Sequence, residues 1–394
     1  MVHPNTILTA QPTTELMEKI QEYNPKNIHI YVDLKNVSTS LFIESVAQEI
    51  VDNSLNNEID TSIFQSILLY SSLWKGIGNN YNYNIKIFFC NDKGHSIYHQ
   101  EIYKNYKRNR KISALNSSIV FEDLNKIRRR NNEISRMVCN KIPNVYFFDL
   151  LNLEADFLPY YLITRKFNNK DTFHIVCSSD KDMFQCLTQD NVCLLYKIKT
   201  VNRWLDKETV LKHYLQIDNK SDNSKKKILD LLNNITNEDI VLMMSIIGDA
   251  GDDVPGVKGL GPVKVLELFS DKDLVKKHIG TFDEVLERVL KKNSYFKNLD
   301  NIDENIPKNW DITLKENEVI TRAFKLISFE YLCKWLENGS SLYSIDKLKD
   351  ITSILNFKET NKDEIFVSVK PLYNGLKNLK SLKLGFDDLI PLFV

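Results

Sequence analysis

Ile28-His29-Ile30-Tyr31-Val32-Asp33 is an apolar run that stops on a carboxylate. Its length and its β-branched and aromatic content suit a strand buried on both faces. The pattern recurs. Ile85-Lys86-Ile87-Phe88-Phe89-Cys90 runs into Asn91-Asp92, and Val145-Tyr146-Phe147-Phe148 runs into Asp149. Phe173-His174-Ile175-Val176-Cys177 runs into Ser178-Ser179-Asp180-Lys181-Asp182. Helical sequence is expected at 60–74, through much of 97–140, and from Glu154 to Phe167. Four short strands separated by helices indicate a parallel α/β sheet. Such a sheet takes ligands beyond the carboxyl ends of its strands. Asp33, Asp92, Asp180 and Asp182 fall there.

Outward from the strands the pattern changes. Residues 1–25 read as an N-terminal arm with a short helix near Glu15–Tyr23. The α/β domain is expected over 26–205. After about residue 205 the strand signal fades, and 206–394 reads as a mainly helical domain. Its expected helices are 207–216, 239–247, 262–296, 318–337 and 344–357, with a polar, Lys-rich insertion at 219–227.

Within the helical half one stretch stands apart: Gly248-Asp249-Ala250-Gly251-Asp252-Asp253-Val254-Pro255-Gly256-Val257-Lys258-Gly259-Leu260-Gly261-Pro262. Five of the 12 glycines in the chain lie here. Glycine permits positive φ and close approach to a ligand. A glycine-rich turn that opens a helix makes a concavity of amides for an anionic oxygen.

Composition narrows the class. An apolar content of 43% supports a real core, and a formal net charge of zero names no partner. Local charge does: from Lys104 to Arg130 there are nine Lys/Arg against two Asp/Glu. The six cysteines show no CxxC spacing, so a reduced, cytoplasmic protein without structural zinc is expected. No run has membrane-spanning length and the N-terminus lacks a signal-peptide pattern. His95, His99 and His174 have no metal-ligand spacing and read as surface or core residues.

The carboxylates carry the chemistry. Asp33, Asp92, Glu154 with Asp156, Asp180 with Asp182, and Asp249 with Asp252 recur where a metal site would need them. A lone Asp at a strand end is commonly a helix cap. Several at equivalent topological positions are oxygen donors suited to Mg²⁺ or Mn²⁺. Two such ions about 3.5–4 Å apart support in-line phosphoryl displacement.

In order along residues 28–265, these segments resemble the motifs of the structure-specific 5′ nuclease (flap endonuclease, 5′→3′ exonuclease) family, most of all its small viral members of the T-even phage RNase H type. Ile30-Tyr31-Val32-Asp33 is similar to the first ligand strand, and Tyr106-Lys107-Arg108-Asn109-Arg110 to the Tyr-Lys-x-x-Arg gateway. Glu154-Ala155-Asp156 and Asp180-Lys181-Asp182 resemble further ligand motifs, the latter with its trailing Gln185. Gly248 to Gly261 resembles the Gly-Asp-x-x-Asp motif with the helix–three-turn–helix.

The resemblance implies a PIN-like parallel sheet flanked by helices, with a helical C-terminal part holding a helix-hairpin-helix-like DNA-binding element at about 239–270. It implies two Mg²⁺ or Mn²⁺ ions on Asp33, Asp92, Glu154, Asp156, Asp180, Asp182, Asp249 and Asp252. Lys107 and Arg110, with Tyr106, would act on the scissile phosphate. Gly256, Val257, Lys258, Gly259, Leu260 and Gly261 would grip duplex DNA, with K⁺ at that loop. Lys104 and Arg108 would contact DNA from a helical arch or gateway at about 97–140. Tyr103 or Tyr106 could stack on a base. The implied activity is removal of RNA primers or 5′ flaps from DNA or RNA–DNA duplexes, in replication or repair, by a monomer in the cytoplasm (that of the host if viral).

Three positions depart from the pattern. The second-strand carboxylate falls on Asn91 in an ungapped count, with Asp92 one residue on. Phe157 stands where bacterial members have a further Asp. Asp253 replaces the usual Asn, either adding a ligand or capping the turn. Asn91 and Phe157 keep open a non-catalytic DNA-junction binder on a degenerate nuclease fold. A PIN-type ribonuclease would share the acidic site without needing the glycine-rich clamp. The tail 386–394, acidic and then apolar, is similar to sliding-clamp-binding tails, or packs on its own domain.

Overall fold

The computed structural model describes residues 12–34, 58–109, 132–187, 189–198, 201–207, 239–269, 279–290, 314–338 and 342–360, with positions 129, 209, 210, 236, 271, 273, 275 and 276. Arg110, most of the expected arch, most of the helix expected at 207–216, the insertion at 219–227 and the tail 386–394 lie outside the described residues. The chain divides into two compact units. Described residues of the first fall within 12–95, 129–205 and 345–360; those of the second fall within 96–109 and 206–344. The start of the expected arch thus groups with the second unit, not with the sheet.

The first unit is built on a six-stranded sheet in the order β3-β2-β1-β4-β5-β6. The strands are β1 Asn27–Asp33, β2 Asn84–Cys90, β3 Val145–Phe148, β4 Thr172–Cys177, β5 Val192–Ile198 and β6 Val201–Leu205. β1 lies parallel between β2 and β4, with Asp33 level with Cys90 and Val32 level with Cys177. The chain runs outward from β1 through β2 to β3, then returns to the other side of β1 as β4. That reversal is the topological switch point, where open α/β sheets bind ligands.

Alternation along each strand makes two different faces. Ile28, Ile30 and Val32, with Ile85, Ile87, Phe173 and Ile175, form a core with Leu16, Ile20, Ile67, Trp74 and Val138. The helix Thr14–Tyr23 reaches this core capped by Thr13, whose hydroxyl accepts the Leu16 N–H at 3.2 Å. The helix Glu58–Tyr81 carries Gly78 where any Cβ would lie 2.5 Å from Ile85. The other face carries His29 and Tyr31 on β1, Phe88 on β2, Tyr146 on β3 and His174 on β4. Tyr31 stacks on Phe88 at 5.0 Å, Phe88 stacks on Tyr146 at 4.8 Å, and the Tyr31 hydroxyl meets His174 Nδ1 at 3.0 Å. Asp33 ends this polar-aromatic face.

Several expectations need correction. β5 and β6 add two strands to the four expected; β6 runs antiparallel to β5, and β4 reaches β5 through only a short 3-10 turn, Lys181–Cys186. The expected helix from Glu154 begins later, as Phe157–Tyr161, and continues as a π-helical turn Leu162–Lys166. Pro159 is tolerated because first-turn amides have no intrahelical partner. The helix expected at 262–296 is interrupted: Pro262–Phe269 and Phe282–Leu290 are separate, with Gly280 at φ 100° between them. Thr281 and Glu284 form a reciprocal capping box, with bonds of 2.9 and 3.3 Å. The helix expected at 318–337 is two, Leu314–Ile327 and Phe329–Glu337, broken at Ser328, whose hydroxyl caps Tyr331.

Among the described residues, the second unit is built of helices joined by loops and holds no strand of the sheet. Asp239–Ile247 is buried on all sides from Ile240 to Ile246, as a central helix must be. The helices Pro262–Phe269, Phe282–Leu290, Leu314–Ile327 and Phe329–Glu337 belong to this unit, as does the short helix Ile97–Ile102.

Candidate active site

In the first unit, the loops after β1, β2, β3 and β4 gather carboxylates around Asp156. Asp33 is buried, and its Oδ2 accepts the Ser178 hydroxyl at 2.8 Å. Ser178 in turn accepts the Asp180 N–H at 3.0 Å. Asp180 caps the 3-10 turn by accepting the Asp182 N–H at 3.0 Å. One serine thus ties the end of β1 to the loop after β4, and nothing in the sequence beyond its place before Asp180 marks it.

Asn91 and Asp92, the two candidates after β2, face different ways. Asn91 is buried and turned back on the chain: its amide donates to the Asp92 carbonyl at 3.1 Å, and its N–H continues the ladder to Phe148 at 2.9 Å. Asp92 Oδ1 accepts the Ala155 N–H at 2.6 Å, so this carboxylate sits against the Glu154-Ala155-Asp156 loop. Just after β3, Asp149 receives Lys93 at 3.3 Å and also Arg136. Phe157 is buried in the core and supplies no ligand.

Electrostatics registers the crowding. Burial pushes the Asp156 carboxyl well above the usual carboxylate range, and Asp92, Asp33, Glu154 and Asp180 push it further. The Cys90 thiol beneath is raised by burial and then by Asp33, Asp156 and Asp92. Tyr196 of β5 is raised by burial and then by Asp180 and Asp182, which makes it a wall residue of the cluster that sequence reasoning missed. All six donors here are carboxylate oxygens, the chemistry preferred by hard divalent cations. A cation would relieve the repulsion that raises Asp156, so the donor set fits such an ion. Among the described residues, however, no three His, Cys, Asp or Glu side chains form a ready metal-holding group.

The remaining expected ligands, Asp249 and Asp252, belong to the second unit. Asp249 caps a 3-10 turn, accepting the Gly251 N–H at 2.9 Å. Asp252 faces Tyr106 and Lys107: its Oδ2 receives the Tyr106 hydroxyl at 3.3 Å and lies 3.4 Å from Lys107 Nζ. The Lys107 N–H donates to the Asp252 carbonyl at 2.9 Å. Tyr106 is 7% exposed and stacks on His99 at 4.5 Å, so its ring is a support and not a platform for a base. His99 is itself fixed by Ser96 at 2.6 Å and the Leu326 carbonyl at 3.2 Å, a role its spacing did not announce. Tyr103 is covered by the Arg322 guanidinium at 5.1 Å from its ring centre. Lys104 and Arg108 are exposed. Asp253 closes its 3-10 turn as the left-handed cap, at φ 58°; its carboxylate takes the Asn109 N–H at 2.8 Å and the Asn109 side-chain amide.

The glycine-rich loop is anchored by buried Val254, Val257 and Leu260, while Lys258, Gly259 and Gly261 are exposed at its tip. Asp249 and Val254 exchange backbone hydrogen bonds at 2.9 and 2.8 Å. A Cβ on Gly256 would lie 1.9 Å from the Ile247 carbonyl oxygen, and one on Gly248 would lie 2.4 Å from the Gly256 nitrogen. Glycine is therefore forced at both. Gly259 takes φ 84° in open space. Pro262 starts the next helix at the position where its missing N–H costs nothing.

No family model matches the sequence, and no curated protein matches it significantly. Among solved structures it is similar to the flap endonuclease of bacteriophage T5, solved as a pseudo-enzyme-product complex with DNA and metal ions. The TM-score is 0.56 at 16% identity, over 84% of this chain and 100% of that one. The same T5 protein co-crystallised with metal ions gives 0.55 at 16% identity, over 83% and 99%. The T5 5′-exonuclease with zinc bound gives 0.50 at 16% identity, over 85% and 98%. At this identity the likeness is one of architecture: the chain has the fold of the phage T5 5′ nucleases.

Proposed function

We propose that this chain is a metal-dependent 5′→3′ exonuclease and flap endonuclease, acting on the 5′ ends of DNA or RNA–DNA duplexes. The observation that carries the reading is the gathering of Asp33, Asp92, Glu154, Asp156 and Asp180 at the switch point of the sheet. The T5 neighbours, solved with metal ions and one with DNA, support it.

Asp33, Asp92, Glu154, Asp156, Asp180 and Asp182 would hold Mg²⁺ or Mn²⁺, two ions in all, with Asp249 and Asp252 as further acidic candidates. When bound, such ions supply the Lewis-acid chemistry of phosphodiester hydrolysis. The chain's own residues do the rest. Ser178 holds Asp33 in place. Lys107 and Arg110 stabilise charge developing on the phosphate, and Tyr106 braces Lys107 from His99. The loop Gly256–Gly261 grips duplex backbone by its amides without reading sequence, with K⁺ at the loop. Lys104 and Arg108 add phosphate contacts whose strength falls with salt. The role is RNA-primer or 5′-flap removal by a monomer in replication or repair, in a cytoplasm that is the host's if the chain is viral. The tail 386–394 is a candidate clamp-binding segment; its deletion should abolish clamp stimulation and leave basal cleavage intact.

The deciding experiment is cleavage of matched 5′-flap, nicked and RNA-primed duplexes with and without Mg²⁺. Mg²⁺-dependent release of products with a 5′-phosphate and a 3′-hydroxyl is expected. A second reading is a non-catalytic DNA-junction binder. It is favoured by the lack of a ready metal-holding group among the described residues, and by Asn91 and Phe157. Tight junction binding with no cleavage under any divalent ion would select it.

A further inference from the structure

Two non-glycine residues of the second unit hold left-handed backbone on facing sides of one contact: Lys107 at φ 54° and Asp253 at φ 58°. Such conformations persist where neighbours over-determine them, and they concentrate at functional sites. Here each side fixes the other. The Lys107 N–H donates to the Asp252 carbonyl at 2.9 Å. One oxygen of Asp253 accepts the Asn109 N–H at 2.8 Å, and the other accepts the Asn109 side-chain amide. Both carboxylate oxygens are thus engaged by a single residue 144 positions earlier.

On its other side Asp253 is continuous with the glycine-rich loop. The next residue, Val254, is paired with Asp249 through two backbone bonds, and Gly248 and Gly256 pack too closely for any side chain. Val257 donates to the Ile246 carbonyl at 2.8 Å, which ties the loop to the buried central helix. The turn bearing Asp253 and the exposed tip Lys258–Gly261 are therefore held as one piece.

The geometry points to Asp253 as a positioning residue that couples duplex capture at Gly256–Gly261 to the placement of Lys107. This coupling rests on the nuclease reading above. A duplex seated on the loop stiffens it; the loop holds Asp253; Asp253 holds Asn109 and, two residues before it, Lys107. The carboxylate is the matched chemistry, because Asn109 presents two donors and needs two acceptors. Asparagine at 253 offers one acceptor and one donor, and satisfies only one of them.

The test pairs amide exchange of the segment containing Asn109, with and without a nicked duplex, with cleavage of a 5′-flap substrate in Mg²⁺. The variants are Asp253→Ala, Asp253→Asn, and Asp253→Asn combined with Asn109→Asp, which restores one acceptor for the backbone and one side-chain pair. In the parent protein the duplex should slow exchange at Asn109. Asp253→Ala should lose that slowing and cut turnover at saturating substrate by about 10- to 100-fold, the scale of a small misplacement of a reacting group. Its KM should stay within about twofold, because a uniform binding contact is not what is lost. The combined variant should recover turnover relative to Asp253→Asn alone, and it keeps the test decisive if alanine unfolds the loop. Asp253→Ala with fast exchange at Asn109 and parental turnover overturns the inference. A parent protein that binds duplex and protects Asn109 but cleaves nothing leaves the coupling standing and removes the nuclease reading. A parent that neither binds nor cleaves overturns both.

Discussion

The acidic cluster of the first unit and the contact of residues 106–109 with Asp252 and Asp253 in the second hold their groups in different ways. In the first, the backbone does most of the positioning: Asp33 ends β1, and Asp92 and Asp180 lie just beyond its parallel neighbours β2 and β4, with Ser178 as a side-chain tie. In the second, side chains do: Asp252 holds Tyr106 and Lys107, and Asp253 holds Asn109, across about 145 residues of intervening chain. A sheet register survives the loss of one side chain, whereas a side-chain latch does not. Single substitutions in the first unit should therefore change chemistry without moving the scaffold, and those in the second should move the scaffold itself.

The largest expected effect tests the first half of that contrast. Asp180→Asn preserves an oxygen to cap the Asp182 N–H and removes one negative charge from the cluster. Turnover on a 5′ flap should fall by at least about 10²-fold, the scale of losing a charge-stabilising contact in an enclosed site. Flap binding and the melting temperature should hold. A variant that cleaves normally in Mg²⁺ would remove Asp180 from the ligand set. Asp252→Asn should behave differently, loosening Lys107 and Tyr106 as well as lowering the rate, which amide exchange over residues 103–109 would show.

Two glycines sharpen the second half. Gly256→Ala drives a Cβ to 1.9 Å from the Ile247 carbonyl oxygen, so backbone must shift. Destabilisation of about 3 kcal/mol or more is expected in urea denaturation, at or above the upper range for overpacking. Gly259→Ala meets open space and has only its left-handed φ of 84° to bear. It should cost about 1–2 kcal/mol and weaken duplex binding more than it weakens the fold. Equal losses at both positions would mean that the loop is not anchored as one piece.

The scaffold of the first unit also has a pH signature. His29 and His174 face each other across β1 and β4, buried beside Tyr31 and Lys86. Burial lowers His174 to about 4, and burial, then His174 and Lys86, hold His29 well below its ordinary value. Both are neutral when folded. The unfolded chain takes up their protons below about pH 6.5. Their stabilisation is therefore complete above that pH and is lost as pH falls toward 4. For His174 alone the loss is on the order of 3 kcal/mol. His174→Asn should flatten the fall in unfolding free energy between pH 6.5 and 4 relative to the parent; an unchanged slope would contradict a buried neutral imidazole.

Which parts were legible in the sequence follows the same division. The central strands and their terminal carboxylates were readable because strand periodicity and a polar stop are local signals. β5 was missed although Val192-Cys193-Leu194-Leu195 is apolar, because a 3-10 turn, not a full helix, precedes it. The capping box at Thr281 and Glu284 was present in the sequence and would have divided the helix expected at 262–296. Ser178, His99 and the Asn109–Asp253 pair carry no local signal, since each acts through a partner set by tertiary contact. That the Asp92 side chain, and not that of Asn91, turns toward Ala155 is likewise a tertiary contact with no local signal.

The smallest effect compares one hydroxyl–carboxylate bond from each region. Ser178→Ala removes a buried donor from Asp33 at 2.8 Å and an acceptor from the Asp180 N–H at 3.0 Å. Stability should fall by about 1–3 kcal/mol, the cost of leaving buried polar groups without those bonds. Turnover should drop about tenfold, as for groups that orient ligands from behind. Tyr106→Phe removes a longer bond, 3.3 Å to Asp252, while the stack on His99 survives and Lys107 still reaches the same carboxylate. Its cost should stay near 0.5–1 kcal/mol, roughly the net value of one hydrogen bond. Thermal melts and saturating-substrate rates of the two variants measure the difference. If Tyr106→Phe proves the more damaging, its hydroxyl has a role beyond bracing Asp252, and the gateway rests on that bond more than on the ring stack.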